Sequence, residues 1–422
     1  MSGFEIIADK TDLTLKQLET DQVHIDINAA NGYEGSINLA VEGVPPGMKA
    51  DLDNSAMIQA PGHVILSILT SKNVKPGSYE IKLTGDDGLV KQQTIITVNI
   101  LKNPEISPGI ITSQGPGLLN EAWVRVFNQK LEPVLELMAF NTKFGANTVS
   151  ADIDGDGYDE IIVSEGPGPN NSATLKAFKR DGTFITEYTA FNTKSGLTIA
   201  SGDIDGDWKD EIIAGTGPGL LNPAAIKILK YNGSGFTDMV GPKLVSLTLL
   251  GVNVATGDVD GDGKPEIITA PGPALFNPAI IKVWKFENGD LTELYDFRAF
   301  DNKFYGVNIA VKDLDGDGIA EIIAGAGSGL INEALVKVFK GAGTPAGVEF
   351  NAYPNTHNGV QVAAGDVNGD GTTEIITGIG PGLLNTSWVK IFSPDGTELT
   401  GFFAYPNNIR FGVKVSAGNM GE

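Results

Sequence analysis

The chain is constrained most by a recurrence. Asp-x-Asp-Gly-Asp, with asparagine for the second aspartate in the last copy, is followed after three residues by Glu-Ile-Ile. The copies begin at Asp152, Asp203, Asp258, Asp313 and Asp366, at intervals of 51, 55, 55 and 53 residues. A fixed period of this size marks units that cannot bury their apolar face alone and must stack on their neighbours. The third unit runs through residues 252–256, the acidic loop, 266–270, a Gly-Pro loop, 280–286, the turn Asn288-Gly289-Asp290, and 294–300. That is four short strands, and four antiparallel strands repeated about every 53 residues describe β-propeller blades.

Residues 103–422 accommodate six such units, and the ends predict how they close. Residues 109–112 match the strand after an acidic loop, and residues 412–418 match the strand before one. The two therefore belong to a single composite blade, which leaves no exposed sheet edge. The final copy stops at Asn419-Met420-Gly421-Glu422, before a sixth acidic loop. Residues 1–102 have a different texture. Runs at 23–27, 36–41, 64–69, 79–83 and 94–100 alternate with period two, between turn signals such as Asn31-Gly32, Pro45-Pro46-Gly47 and Pro76-Gly77. Half-buried strands at that spacing predict a small β-sandwich. The predicted fold class is thus all-β, a sandwich followed by a six-bladed propeller.

In the first acidic loop, Asp152, Asp154, Asp156 and Glu160 hold positions 1, 3, 5 and 9, and Gly157 at position 6 permits the sharp turn. Alternating carboxylates on a tight loop aim hard oxygens at one centre, which suits Ca2+ with its six to eight oxygen ligands better than Mg2+, which keeps its waters. The main-chain carbonyl at position 7, that of Tyr158, is a further candidate ligand. An EF-hand would need glutamate at position 12, where Val163 stands, so this is a different, nine-residue loop. The same reading assigns Asp203, Asp205, Asp207, Lys209 and Glu211; Asp258, Asp260, Asp262, Lys264 and Glu266; Asp313, Asp315, Asp317, Ile319 and Glu321; and Asp366, Asn368, Asp370, Thr372 and Glu374, with Lys209, Lys264, Ile319 and Thr372 supplying carbonyls. Two copies depart. Trp208 stands where position 6 calls for glycine, and Asn368 removes one charge. Solvated turns are the alternative for a single copy, but five copies in register argue for about five calcium sites.

Charge agrees with that expectation. Fifty-two acidic residues against 30 basic ones leave a formal net charge of -22, and five divalent ions, adding ten positive charges, would bring it to -12. Such a surface repels phosphate backbones and anionic lipid, so nucleic-acid binding and polybasic membrane attachment are excluded. No apolar run is long enough to span a bilayer. The absence of cysteine removes disulfides, thiolate nucleophiles and thiolate metal ligands, and three histidines are too few for a multi-histidine site.

The repeated acidic loops, preceded by strands that open on pairs such as Phe144-Gly145 and Phe411-Gly412, resemble FG-GAP or VCBS repeats. These are similar to the calcium-binding blades of the integrin α-subunit and of many microbial surface and secreted proteins. The resemblance implies a calcium-loaded propeller used in adhesion or ligand binding outside the cell. Glutamate at position 9 and six units depart from the integrin pattern of aspartate and seven, so integrin partners are not carried over. The stretch from Val41 to Met48, with residues 76–81, resembles the Ig-like modules of bacterial and archaeal surface proteins. The implied location is extracellular or at the cell surface. Met-Ser-Gly-Phe-Glu at the start reads as no secretion leader, so that location expects a signal outside this sequence, and a cytoplasmic chain is the alternative.

In an up-and-down blade alternate connections fall on opposite faces. The acidic loops share a face with the hairpin turns Asp181-Gly182, Asn232-Gly233 and Asp395-Gly396; the other face collects the Gly-Pro loops and the links between blades. Five Gly-Pro loops carry an apolar pair before an asparagine: Leu118-Leu119, Leu220-Leu221, Leu275-Phe276, Leu330-Ile331 and Leu383-Leu384. These are candidates for a ring that binds a carbohydrate or protein ligand, or drives self-association. Alternatively, the first member of each pair packs into the seam between blades and the asparagine ties its own turn. On the same face, links such as Phe140-Asn141-Thr142-Lys143, Phe191-Asn192-Thr193-Lys194 and Phe300-Asp301-Asn302-Lys303 place aromatic, amide and ammonium groups together, making Lys143, Lys194 and Lys303 candidate ligand contacts; packing of the aromatics between blades is the alternative. No catalytic triad, phosphate loop or distinct carboxylate pair occurs, so the chain reads as a binder rather than an enzyme. A structural subunit of a surface layer or filament, and a calcium-dependent polysaccharide lyase or hydrolase, are the alternatives.

Overall fold

The structure is a computed structural model that describes residues 3–53, 56–301 and 303–420. Asn302 of the third link, and Gly421 and Glu422, lie outside the described residues. The chain divides into two compact units, Met1–Ile106 and Ser107–Glu422.

In the first unit the alternating runs are strands of two sheets. One joins Gly3–Ala8, Thr20–Ala30, Gly62–Thr70 and Met48–Leu52; the other joins Asp12–Lys16, Lys91–Leu101, Gly77–Asp86, Gly35–Glu42 and Met57–Ala60. Their inward residues, among them Ile25, Ile27, Leu66 and Ile68 from one sheet and Ile37, Ile81, Leu83 and Ile96 from the other, share a single core. Asp12–Lys16 pairs parallel to Lys91–Leu101, a non-local contact that no local pattern in the sequence announces. Two of the three histidines also meet: His24 Nδ1 and His63 Nε2 are 3.2 Å apart on the exposed side of paired strands. Nothing metal-binding follows, because no cluster of three metal-capable side chains among the described residues includes them.

The second unit consists of six four-stranded antiparallel sheets. The composite sheet is present: Val413–Asn419 pairs with Pro108–Gln114, from Pro108 opposite Asn419 to Gln114 opposite Val413. The first strands, Ala146–Ala151, Leu197–Gly202, Val252–Gly257, Val307–Lys312 and Val360–Gly365, pack side by side, and Val413–Asn419 packs against both the first and the last of them. The arrangement is propeller-like and closed. In the third copy the outermost strand is Asp290–Arg298: it starts four residues before the predicted 294–300, since its pairing runs to the turn with Asp290 opposite Glu287, and it ends before Phe300, which lies in the core.

Each second strand, such as Glu160–Glu165 and Glu211–Thr216, is buried at every residue. Sandwiched between neighbouring sheets, it has no wet face, so after the leading glutamate its sequence is mostly apolar or small instead of alternating. Ile161, Ile162, Ile212 and Ile213 are completely buried, each stabilising the stack by about 1.5–3 kcal/mol. The Phe-Gly pairs acquire a backbone reason. Phe144 and Gly145 both take positive φ, 72° and 66°, as do Phe411 and Gly412 at 67° and 71°. A Cβ on Gly145 would collide with the carbonyl of Gln114, and one on Gly412 with that of Ile379. The glycine is what lets each link dive beneath the preceding Gly-Pro loop.

Candidate metal centres and ligand face

Each acidic loop joins the innermost strand of a sheet to the buried second strand, and the loop is built by its own carboxylates. In the first, Asp152 accepts the N–H groups of Gly155 and Gly157 at 2.8 and 2.9 Å, one on each oxygen. Asp154 accepts from Asp156 at 3.1 Å, and Asp156 from Tyr158 at 2.9 Å. Glu160 reaches back to accept from Ile153 at 3.1 Å. The pattern recurs in the other copies, with Glu211, Glu266, Glu321 and Glu374 each holding the N–H of position 2 at 2.9–3.1 Å. This scaffold spends one oxygen at each of positions 3, 5 and 9. Carboxylates of positions 1, 3 and 9 converge in three of the loops and those of positions 1, 3 and 5 in the third copy, while no such cluster includes the fifth loop among the described residues.

Convergence is measurable. Asp152, Asp154 and Glu160 each offer an oxygen within 4.8 Å of the others, and so do Asp203, Asp205 and Glu211; Asp258, Asp260 and Asp262; and Asp313, Asp315 and Glu321. Three oxygens so spaced have a common point at about the 2.3–2.6 Å of a calcium–oxygen bond. The donor set is all oxygen, hard and anionic, and it fits the ion. Burial, and then the neighbouring charge of Asp154, pushes the Glu160 carboxyl up to about 8; Glu211 and Glu266 are pushed up to about 7, burial again leading. Each such glutamate favours a cation beside it.

Sequence reasoning missed that the protein places cations there itself. Lys230 Nζ lies 2.5, 2.8 and 2.9 Å from Asp205 Oδ2, Asp207 Oδ2 and Glu211 Oε1. Lys285 pairs with Asp260 and Asp262 at 2.8 and 2.6 Å, and Lys340 with Asp315, Asp317 and Glu321 at 2.8, 3.5 and 3.7 Å. All three lysines stand 25 residues after the second aspartate of their loop, at the end of the third strand, a regularity the sequence does contain. Lys179 has that place in the first copy, but no ion pair joins it to its loop among the described residues; Arg180 instead covers the Tyr158 ring at 4.2 Å. Ser393 has it in the fifth, where the Asn368 amide takes over, donating to Asp370 Oδ2 and Glu374 Oε1 at 3.0 and 3.1 Å. Position 8 was also missed. Asp210 accepts the Asp152 N–H at 2.9 Å and Asp159 that of Asn419 at 2.8 Å, latching each loop to the preceding sheet.

At position 6, Gly157, Gly263, Gly318 and Gly371 have φ between 87° and 93°, and Trp208 is held at 74° with its N–H 2.9 Å from Asp203. A left-handed non-glycine residue costs about 1–2 kcal/mol. Trp208→Gly is therefore expected to stabilise the protein by up to about 1 kcal/mol after the added chain entropy is deducted, seen as a higher melting temperature; an unchanged or lower melting temperature would show that packing of the indole outweighs the strain.

On the opposite face both members of every apolar pair are exposed. Leu118, Leu220, Leu330 and Leu383 are 64–78 % accessible and Leu119, Leu221, Phe276 and Leu384 82–83 %; Leu275 and Ile331 are exposed too. Seam packing of the first member is thus corrected: the loop tip turns both side chains outward. The asparagine does tie the turn, Asn120 donating to the Gly115 and Arg410 carbonyls and Asn222 to those of Gly217 and Lys194. The aromatic, amide and ammonium cluster is not assembled on the surface, since Phe140, Phe300, Tyr353 and Tyr405 are buried between sheets. Lys143 pairs with Glu121 at 2.7 Å, and Lys194 is exposed.

An FG-GAP-like repeat model matches residues 152–214, 203–269 and 313–377, so three FG-GAP-like repeats lie in the second unit and include all five acidic loops. No curated protein matches the chain. Among solved structures, domains 4 and 5 of the S-layer protein SbsC match at 17% identity over 24% of this chain and 54% of that chain, with a TM-score of 0.20. This chain thus spans about half of that structure's length. Domains 5-6 of the same protein match at 13% identity over 44% and 96%, with a TM-score of 0.20. A quinonprotein alcohol dehydrogenase-like protein from Bacteroides thetaiotaomicron matches at 9% identity over 97% and 96%, with a TM-score of 0.37.

Proposed function

We propose that this is a calcium-binding surface protein: an Ig-like sandwich carrying a six-bladed propeller whose ions stabilise the blades and whose opposite face binds a carbohydrate or protein ligand, without catalysis. The observation that carries the reading is the convergence of carboxylate oxygens in the acidic loops, repeated around a closed ring. Calcium loops of this kind are filled at the concentrations found outside cells, which supports an extracellular location. No helix of the described residues is long and apolar enough to cross a membrane. When bound, calcium would be held by Asp152, Asp154, Asp156 and Glu160 and their counterparts, and it supplies charge neutralisation, not chemistry.

The test is a broad glycan array probed with the full chain in calcium and after chelation. Calcium-dependent hits that weaken in Leu220→Ser or Lys194→Ala are expected. The ten exposed apolar residues also favour a second reading, self-association through that face. A blank array from folded protein, together with assembly that grows with concentration, would replace the first reading by the second.

The lysines set an order among the loops. Calcium entering the second, third or fourth must displace Lys230, Lys285 or Lys340, whereas in the first the corresponding Lys179 makes no ion pair with the loop among the described residues. Lys230→Met is expected to tighten calcium binding at the second loop by about tenfold, a change of roughly 1.4 kcal/mol, read by calorimetric titration. Weaker binding in that variant would show the lysine to be a support of the loop and not a competitor.

A further inference from the structure

The innermost strands leave a pocket of about 100 Å³, lined by a residue from each of the six sheets' Gly-Pro loops and by the second residue of each inner strand: Asn147, Thr198, Asn253, Asn308, Gln361 and Lys414. Around this ring, four side chains spend a donor on the main-chain carbonyl that begins the next strand. Asn147 donates to Leu197, Thr198 to Val252, Asn253 to Val307 and Asn308 to Val360, at 2.5–2.7 Å. The sixth position breaks the pattern with a cation. Lys414 Nζ donates to Gln361 Oε1 at 2.7 Å, one of its three N–H groups. No carboxylate lies within ion-pair distance of Lys414 among the described residues, and no other residue lining the pocket is titratable. In a chain of net charge -22 this half-buried ammonium is a lone positive centre at the pocket.

An ammonium partly withdrawn from water without a counter-ion costs free energy, and burial accordingly pulls the Lys414 amine down to about 8. A ligand that brings a single negative charge removes that cost. From the ring of hydrogen-bonding side chains, the one cation and the apolar wall of Pro116, Pro167, Pro218, Pro273 and Pro381, we infer that this pocket binds a small organic monocarboxylate, its carboxylate on Lys414 and its carbon skeleton among the prolines. One cation in so small a space matches a carboxylate better than a phosphate dianion. The inference rests on the reading of this face as the ligand face, and names the ligand class at its centre. A uronic sugar and a peptide C-terminus present the same chemistry.

The experiment titrates the full, calcium-loaded chain with glucuronate, its neutral twin glucose, and N-acetylglycine, followed by calorimetry. Glucuronate or N-acetylglycine is expected to bind saturably at pH 7 and glucose not at all; which carboxylate binds distinguishes the sugar from the peptide source. Lys414→Met is expected to weaken binding at least tenfold while the melting temperature without ligand stays equal or rises, since a half-buried charge without a counter-ion has been removed. Lys414→Arg, which retains a cation, is expected to keep part of the affinity if Lys414→Met proves unstable. Absence of binding by both carboxylates, or equal affinity in Lys414→Met, overturns the inference. Array hits that persist when neither carboxylate binds would overturn the pocket while leaving the ligand face standing.

Discussion

Chelating calcium is expected to lower the melting temperature of the second unit by roughly 10–20 °C, and restoring calcium to return it. The expectation follows from mass action: an ion at a hundred times its dissociation constant stabilises the state that binds it by about 2.7 kcal/mol per site. Four converged carboxylate groups, each filled, would therefore supply roughly 10 kcal/mol, each kcal/mol being worth about 2 °C in a chain of this size. The pH dependence has a definite sign. The folded pKa of Glu160, about 8, lies above its ordinary value of 4.5. Its contribution is then fully present below about pH 4.5 and is lost as pH rises through 8. Calcium-free protein is accordingly more stable at pH 5 than at pH 8.5, and the difference shrinks in calcium, where the charged carboxylate is the favoured form. Scanning calorimetry at the two pH values, with calcium and with chelator, measures both effects. A melting temperature indifferent to calcium would sink the metal reading of the loops.

Truncation after Gly412 abolishes folding of the second unit. The deleted segment contributes Val413, Val415 and Met420 to the core at 1, 9 and 6 % accessibility. Their burial is worth roughly 5–9 kcal/mol together. It also removes seven residues paired with Pro108–Gln114, the Thr148–Ser416 contact at 3.1 Å and the Ser150 bond to the Ala417 carbonyl at 2.9 Å, so the ring opens and the buried strand Pro108–Gln114 acquires a bare edge. Net stabilities of domains are about 5–15 kcal/mol, which the loss consumes. Aggregation or a flat near-ultraviolet dichroism spectrum is the expected result; a soluble, cooperatively melting truncation product would show that ring closure is dispensable.

Much of this architecture was legible because it is local and repeated. The spacing from Asp152 to Asp366 marked the loops, Glu-Ile-Ile marked the buried strands, and the matching of residues 109–112 with 374–377 foretold the composite sheet. The asparagine of each Gly-Pro loop was readable as the tie of its own turn, since its partner lies five residues away. What escaped was whatever depends on distance in sequence. Lys230 reaches Asp205 across 25 residues and a whole strand. Asp210 latches the loop of another sheet 58 residues back. Lys414 reads as an ordinary strand lysine until the ring places it inward beside Gln361.

By itself, then, the sequence determined the period, the strands, the acidic loops and the turns, because hydrophobic alternation, glycine conformation and carboxylate spacing act within a few residues. Only the tertiary structure decided which cations stand in the loops, which apolar pairs face water and where a lone ammonium is enclosed. Those are properties of surfaces brought together from separate repeats, where burial and Coulomb attraction depend on neighbours that the chain order does not name.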